Sequence, residues 1–435
     1  MSASSSHTPV LVVGAGLTGL SAALHLRRAG VACRVLERAT EPGGHARTTR
    51  EDGFAFDRTG HLLHLRDPSL AALVEEVVEG ELLSLERRSR VWSHGVMTRY
   101  PFQANTFGLP PAVAYECVLG FVRAHERAEL GGAARNFEEF CLARFGEGMT
   151  RHFLVPYNEK LWGVRASEIT AAWCERFVPV PTLEDVLAGA VGLADRELGY
   201  NARFRYPRGG IDALPRGLAR AAGPIELGRA PVAIDVQRKR VVLPEETITY
   251  DVLLSTIPLD SMLALVLHLP PEVERARGSL RCNPLAWLDL AFDAPAATDL
   301  HWVYVPEPRY PFYRVGCYSN FSPGVAPAGC SSFYVELADR KPADLDSLVP
   351  LVVAQLAELG LVGRGAPLRF ARLRRVSHAY VVFDHAYYGA LAAIRPYLAA
   401  HGVESAGRYG AWNYSSMEDA LAFGRDAARA AAARV

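Results

Sequence analysis

Lysine is almost missing from this chain: among its 47 basic residues, only Lys160, Lys239 and Lys341 are lysines. The arginines that replace it, beside abundant alanine, read as a coding bias. Net charge is missing too, because 47 acidic residues balance the 47 basic ones. No long-range field therefore draws the chain to nucleic acid or an anionic membrane. Cysteine pairing is absent: Cys33, Cys117, Cys141, Cys174, Cys282, Cys317 and Cys330 are odd in number and hold no Cys-x-x-Cys. That fits reduced thiols in a cytoplasmic protein better than a disulfide frame or a zinc site. The opening Met1–Ser6 lacks the positive charge of a secretory signal. Only Val10–Leu26 approaches the length of a membrane span, and the glycines within it break that pattern. At 435 residues the chain suits two or three domains around a large core.

What is present begins with glycine. Gly14-Ala15-Gly16-Leu17-Thr18-Gly19 lies between an apolar run, Pro9–Val13, and a helical pattern, Leu17–Arg28, that turns Leu20, Leu24 and Leu26 inward. Glycines at a strand-to-helix turn permit a tight bend and close backbone approach to a pyrophosphate. The helix N-terminus then offers N–H groups and its dipole to the phosphates. A second strand, Cys33–Leu36, ends at Glu37, whose carboxylate suits ribose hydroxyls at the expected spacing of ~20 residues. Gly43-Gly44 follows and favours FAD over NAD. Strand, glycines, helix, strand and acid in this order predict a dinucleotide site.

Further along, Arg50–Leu65 alternates like a hairpin and Leu70–Val78 is helical, while 91–97 reads as strand and turn. From Pro110 to about Leu193 the pattern is helical. Strand character returns at 232–236, 241–243 and 252–256, and again at 285–292, 301–305, 312–318 and 331–337. A short strand, Gly407 and an alanine-rich helix close the chain. The expected fold is α/β. A discontinuous Rossmann-like FAD-binding domain (1–70, 206–275, 400–435) is joined by a helical substrate-side insertion (108–200) and an antiparallel sheet domain (71–107, 276–399).

Five segments carry a resemblance that spans nearly the whole chain. They are Gly43-Gly44-His45-Ala46 with Gly60-His61-Leu62-Leu63-His64; Tyr100–Phe107; Tyr157-Asn158-Glu159-Lys160-Leu161-Trp162-Gly163; Pro311-Phe312-Tyr313-Arg314; and Gly407-Arg408-Tyr409 leading to Tyr414 and Met417. Together they resemble the UDP-galactopyranose mutase family, within the amine-oxidase-like flavoproteins. The resemblance implies isomerisation between pyranose and furanose forms of a nucleotide-diphosphate sugar, with N5 of reduced FAD as nucleophile at the anomeric carbon. It implies an external reductant such as NAD(P)H, neither nucleic acid nor a membrane span, and it allows a homodimer.

Residue by residue, the resemblance assigns Arg176 and Arg314 to the departing diphosphate, which suits bidentate arginine. Arg176 stands fourteen residues after Trp162. Tyr388 and Tyr414 match tyrosines that contact the diphosphate, with Tyr387 an equal fit to the first. Asn105, Phe153, Tyr157 and Trp162 match the substrate side, although aromatics at helical spacing also pack as core and an asparagine also closes turns. His64 is placed for proton transfer near the flavin. Gly14, Gly16, Leu17, Thr18, Gly19, Glu37, Arg38, Gly44, His45, His61, Leu62, Arg408 and Met417 are expected to hold the cofactor. His61 and His64 complete no metal site.

Departures bear on the substrate. His45 and Ser416 replace a common Asn and Asp, and the segment after Arg176 offers Leu183 and Leu187 where an aromatic for the base is expected. UDP-, dTDP- and GDP-linked sugars all stay open. The same flavin fingerprints serve an oxidase of the amine-oxidase or protoporphyrinogen-oxidase kind, or a flavin-binding scaffold without chemistry.

Overall fold

The computed structural model describes residues 4–127, 134–174, 178, 180–193, 202–342 and 344–435, and the structural statements below concern these. The first strand, Ser4–Val13, lies at the heart of a seven-stranded sheet. It pairs in parallel with Cys33–Glu37 on one side and Glu246–Ser255 on the other. Val403–Ser405 adds to Glu246–Ser255 in parallel, so residues near both chain ends share one sheet. Val10–Val13 are buried on both faces, as a parallel strand covered by helices requires. The helix Leu17–Arg28 buries Leu20, Leu24 and Leu26 against this sheet and packs on the final helix, Met417–Ala432.

A second seven-stranded sheet runs Leu368–Val381, Cys282–Phe292, Ser331–Leu337, Phe312–Cys317, Trp302–Tyr304, Ser89–Ser93, Val96–Arg99. Its pairs are antiparallel except for Trp302–Tyr304 with Ser89–Ser93. One face, with Leu288, Val303, Phe312 and Val335, is closed by the helix Leu345–Glu358. The other face belongs to the main core. The described helices Pro111–Arg127, Phe137–Met149, Val155–Trp162 and Leu183–Ala190 fall within the predicted helical stretch. A π-helical turn, Thr150–Leu154, links the second of these to the third.

Three expectations change in detail. The hairpin is tighter than Arg50–Leu65: its strands are Thr48–Glu51 and Phe54–Asp57, and Leu63 instead bridges to Arg205. The first strand starts at Ser4, because Ser4–Thr8 continue the ladder with 246–250 despite their polarity. The long strand Leu368–Val381 and the helix Tyr387–Ala400 fall where the sequence pattern assigned nothing.

Candidate functional site

The dinucleotide turn is built as a cradle. Gly16 caps the helix Leu17–Arg28 without any side-chain hydrogen bond, and the first turn holds no acidic residue. Its N–H groups are thus left for an anion. Gly44, at φ +59°, brings its backbone against Gly16; a methyl on Gly44 would lie 3.1 Å from Gly16 Cα. Glu37 ends its strand buried, and its two carboxylate oxygens accept from the amides of Ala15 (2.8 Å) and Ala39 (2.9 Å). That fixes the acid at the turn, while its neighbour Arg38 is exposed. Leu17, Thr18 and Gly19 are buried in the same helix start, and Gly407 meets Thr18 from the other end of the chain. Gly14 closes the first strand through its amide, which donates to Leu36 O at 2.8 Å.

Two histidines line the approach to this cradle. His45 Nε2 bonds the carbonyl of His378 at 2.9 Å, and its ring meets Tyr409 edge-on. Burial pushes its pKa down to about 3, helped by His61, Arg58 and Arg408. His61 is lowered to about 4, first by burial and then by the charges of Arg408 and Arg314. Both rings are therefore neutral at pH 7. Nδ1 of each is buried without a hydrogen-bond partner among the described residues. Orphaned buried nitrogens beside an uncapped helix start and a glycine contact fit a polar, planar group such as FAD. Met417 and Leu62 are half-buried nearby in the core, Met417 opening the last helix behind the Ser416–Asp419 capping box.

The predicted substrate residues converge on the core face of the second sheet. Arg314 stands on the Phe312–Cys317 strand, and its Nη2 donates to Glu336 Oε1 at 2.5 Å. Tyr380 O–H lies 3.4 Å from the same nitrogen. Tyr380 also presents its ring to Arg408, whose guanidinium stands 4.6 Å above the ring of Tyr414. Trp162 closes the group against Tyr380 and Tyr414. Arg408 is fixed by donating to the carbonyls of Ser415 and Ala379. Arg314 Nε, Glu336 Oε2 and Tyr313 O–H are buried without partners among the described residues, a concentration of unmet hydrogen-bonding capacity.

Helical spacing aligns Phe153 and Tyr157 on one face, and their rings stack at 5.3 Å. Phe102 stacks on Phe153 at 4.9 Å. Asn105 is buried and donates from Nδ2 to the Pro101 carbonyl at 2.9 Å. Lys160, next to this face, donates from Nζ to three main-chain carbonyls: Val305, Glu307 and Phe312. An ammonium has three donors in the geometry such a convergence needs, which explains a lysine in so arginine-rich a chain. Burial lowers its pKa to about 7.

Other predicted residues lie apart from this group. Arg176 falls outside the described residues. Tyr388 is 50% exposed on the helix Tyr387–Ala400, while Tyr387 is buried and donates to the Trp412 carbonyl. The tyrosine beside Arg314 is Tyr380. His64 bonds the carbonyl of Arg203 through Nδ1 and packs on Phe204. Glu336, Tyr380, Tyr304 and Tyr313 were not singled out from the sequence. The signal available was strand alternation: Glu336 is in register with Arg314, and Arg314 with Tyr304. Among the described residues no cluster suits a metal ion and no helix is long and apolar enough to cross a membrane.

Comparisons with known proteins agree with this fold. The solved structure of reduced UDP-galactopyranose mutase superposes with a TM-score of 0.91 at 27% identity, covering 97% of this chain and 94% of that one. Putrescine oxidase bound to putrescine shares the fold at TM-score 0.69 and 16% identity, over 99% of this chain and the whole of that one. Among curated proteins, phytoene dehydrogenase of Streptomyces griseus is 48% identical over 58 residues, 13% of this chain and 11% of that protein. "Probable UDP-galactopyranose mutase" of Klebsiella pneumoniae is 24% identical over 263 residues, 58% of this chain and 61% of that protein. The chain thus spans less than two thirds of the length of both curated relatives. The family model for flavin containing amine oxidoreductases matches residues 17–432. The chain therefore belongs to the flavin containing amine oxidoreductase family, and within it is similar to UDP-galactopyranose mutase.

Proposed function

We propose that this protein interconverts the pyranose and furanose forms of a nucleotide-diphosphate sugar. One observation carries the reading: a half-buried arginine, Arg314, set among Tyr157, Tyr304, Tyr313, Tyr334 and Tyr380, shares Tyr380 with a second arginine, Arg408. A guanidinium with an unpartnered N–H in a tyrosine-lined, water-poor site suits a diphosphate leaving and returning. The full-length likeness to UDP-galactopyranose mutase supports the same chemistry.

In this reading FAD, when bound in its reduced form, supplies the nucleophile for the anomeric carbon. Arg314 holds the diphosphate and, through Glu336, keeps one orientation while the sugar is detached. Arg408 is locked to main-chain carbonyls and contributes a fixed positive field that needs no reorganisation as charge develops. Trp162 and Tyr414 wall the site from water. His61, kept neutral first by burial and then by the charges of Arg408 and Arg314, offers an uncharged hydrogen-bonding ring at neutral pH. Arg176 is included as a second diphosphate ligand on motif position alone.

The test is turnover under dithionite with a panel of UDP-, dTDP- and GDP-sugars, following pyranose and furanose forms by chromatography. The expected result is interconversion of one class of sugar with reduced enzyme and none with oxidised enzyme. Absence of interconversion across the panel, with rapid flavin reduction by an amine or a porphyrinogen, overturns the reading.

A further inference from the structure

One strand, Ser331–Leu337, serves both halves of the candidate site. Glu336 orients Arg314, and Tyr334, two residues earlier, projects from the same face of the sheet. Tyr334 is 1% exposed, and its ring centre lies 5.0 Å from that of Tyr318. Two glycines make room for it. Gly316 stands in register on the neighbouring strand, and a methyl there would overlap Tyr334 Cε1 and Cζ. At Gly60 a methyl would collide with the Tyr334 hydroxyl oxygen and stand 3.1 Å from Cζ. Neither glycine has a positive φ, so space rather than backbone conformation excludes a side chain at both.

The segment that Tyr334 meets is strained. Thr59, buried and β-branched, has φ +67°, a left-handed conformation rare for such a residue. On one side of it the Asp57 carbonyl accepts from Tyr318 O–H at 2.6 Å. On the other side Gly60 lies against the Tyr334 hydroxyl. Two tyrosines in contact with each other thus bracket the strained residue. Strain of this kind persists only where the surroundings over-determine it, and Tyr318 and Tyr334 supply that constraint. The next residue is His61, whose Nδ1 is buried without a partner among the described residues. The same Tyr334 ring feels the charges of Arg314 and Glu336.

We propose that Tyr334 is a positioning residue. It holds the Asp57–His61 turn in its strained form and so fixes His61 on the cofactor side, from the strand that fixes Arg314 through Glu336. The inference rests on the reading of Arg314 as the diphosphate ligand and adds what sets the cofactor side of the site relative to it. Tyr334 acts through the Gly60 backbone rather than on substrate. Phe333, on the opposite face of the same strand, belongs to the second core and controls for loss of packing alone.

The experiment compares Tyr334→Leu with Phe333→Leu in the flavin-loaded protein, by hydrogen exchange and by the flavin midpoint potential. Tyr334→Leu should speed amide exchange in a peptide spanning 57–64 by about tenfold. It should also lower the potential by ~30 mV, a tenfold change in a two-electron equilibrium. Water reaching the loosened turn screens the arginine charges that favour an anionic reduced ring. Phe333→Leu should lose stability with neither change.

Where Tyr334→Leu does not fold, Gly60→Ala decides. Alone it should purify with depleted flavin, and Tyr334→Phe in the same chain should restore the complement, since the hydroxyl oxygen is the atom the methyl meets first. Unchanged exchange or potential in Tyr334→Leu, equal changes in Phe333→Leu, or no restoration by Tyr334→Phe overturns the positioning role. None of these readouts uses a nucleotide sugar, so the mutase reading stands or falls separately, on turnover.

Discussion

Arg314 and Glu336 stand in register on neighbouring antiparallel strands, and the Glu336 carboxylate that accepts from Arg314 is 0% exposed. Removing one member of such a pair strands the other charge in the interior, which costs ~3–5 kcal/mol. Arg314→Ala is therefore expected to lose stability as well as turnover, with a urea midpoint well below wild type. Arg314→Ala combined with Glu336→Gln should recover most of that stability and none of the activity. Recovery of turnover in the double variant would show that Arg314 serves only to neutralise Glu336.

The two chain ends meet where Gly407, at φ +89°, lies against Thr18; a methyl on it would fall 2.6 Å from Thr18 Oγ1. Gly44 meets Gly16 less closely, a methyl on it falling 3.1 Å from Gly16 Cα. Gly407→Ala and Gly44→Ala should each purify with depleted flavin, measured from the ratio of visible flavin absorbance to protein absorbance. A full flavin complement in both would remove the glycine cradle from the cofactor site.

Lys160 ties the helix Val155–Trp162 to the loop entering the Arg314 strand through three carbonyls. Lys160→Met deprives all three of a donor, at ~1–3 kcal/mol for each left buried and unmet. The variant should unfold at markedly lower temperature. Lys160→Arg should not rescue it, since a planar guanidinium cannot meet three converging acceptors as an ammonium does. Thermal unfolding of the two variants side by side decides the point.

Asp57 is fully buried, and its pKa is raised to about 7 by that burial, against bonds from Thr48, Tyr206 and Ile211. In the unfolded chain the carboxyl titrates near ~3.9. Between pH ~4 and ~7 the native state thus binds the extra proton, so this group's contribution to stability falls as pH rises through that window. His45 and His61 act in the opposite sense, losing stability as pH drops from ~6.5 toward their lowered values. In Asp57→Asn the melting temperature relative to wild type should climb from pH ~4 to ~7 and level off beyond. A constant difference across that range would mean Asp57 is ionised throughout.

Much of the cofactor end was legible because it is local. The glycine turn, the helix after it, Glu37 and the closing strand–Gly407–helix each occupy a contiguous stretch whose periodicity survives without tertiary context. The substrate end was less so. Arginines break the apolar alternation of Leu368–Val381, so the strand that delivers Tyr380 left no clear pattern. Tyr387 and Tyr388 drew attention instead, and the helix carrying them buries one and exposes the other.

The sequence by itself determined a strand–glycine–helix turn suited to a dinucleotide, and it singled out Arg314, Trp162 and Tyr414 for the substrate side and Arg408 for the cofactor side. The turn rests on short-range chemistry, backbone freedom and helix dipoles, whereas the four residues rest on the resemblance of their motifs to a known family. Only the tertiary structure decided what these residues face. Strand register brought Glu336 beside Arg314 and Thr98 to the far end of the same row, and side-chain packing set Tyr380 between the two arginines. Register is set by pairing between segments as far apart as Val91 and Tyr304. No local pattern encodes it, because a one-residue slip in any strand turns every side chain to the other face.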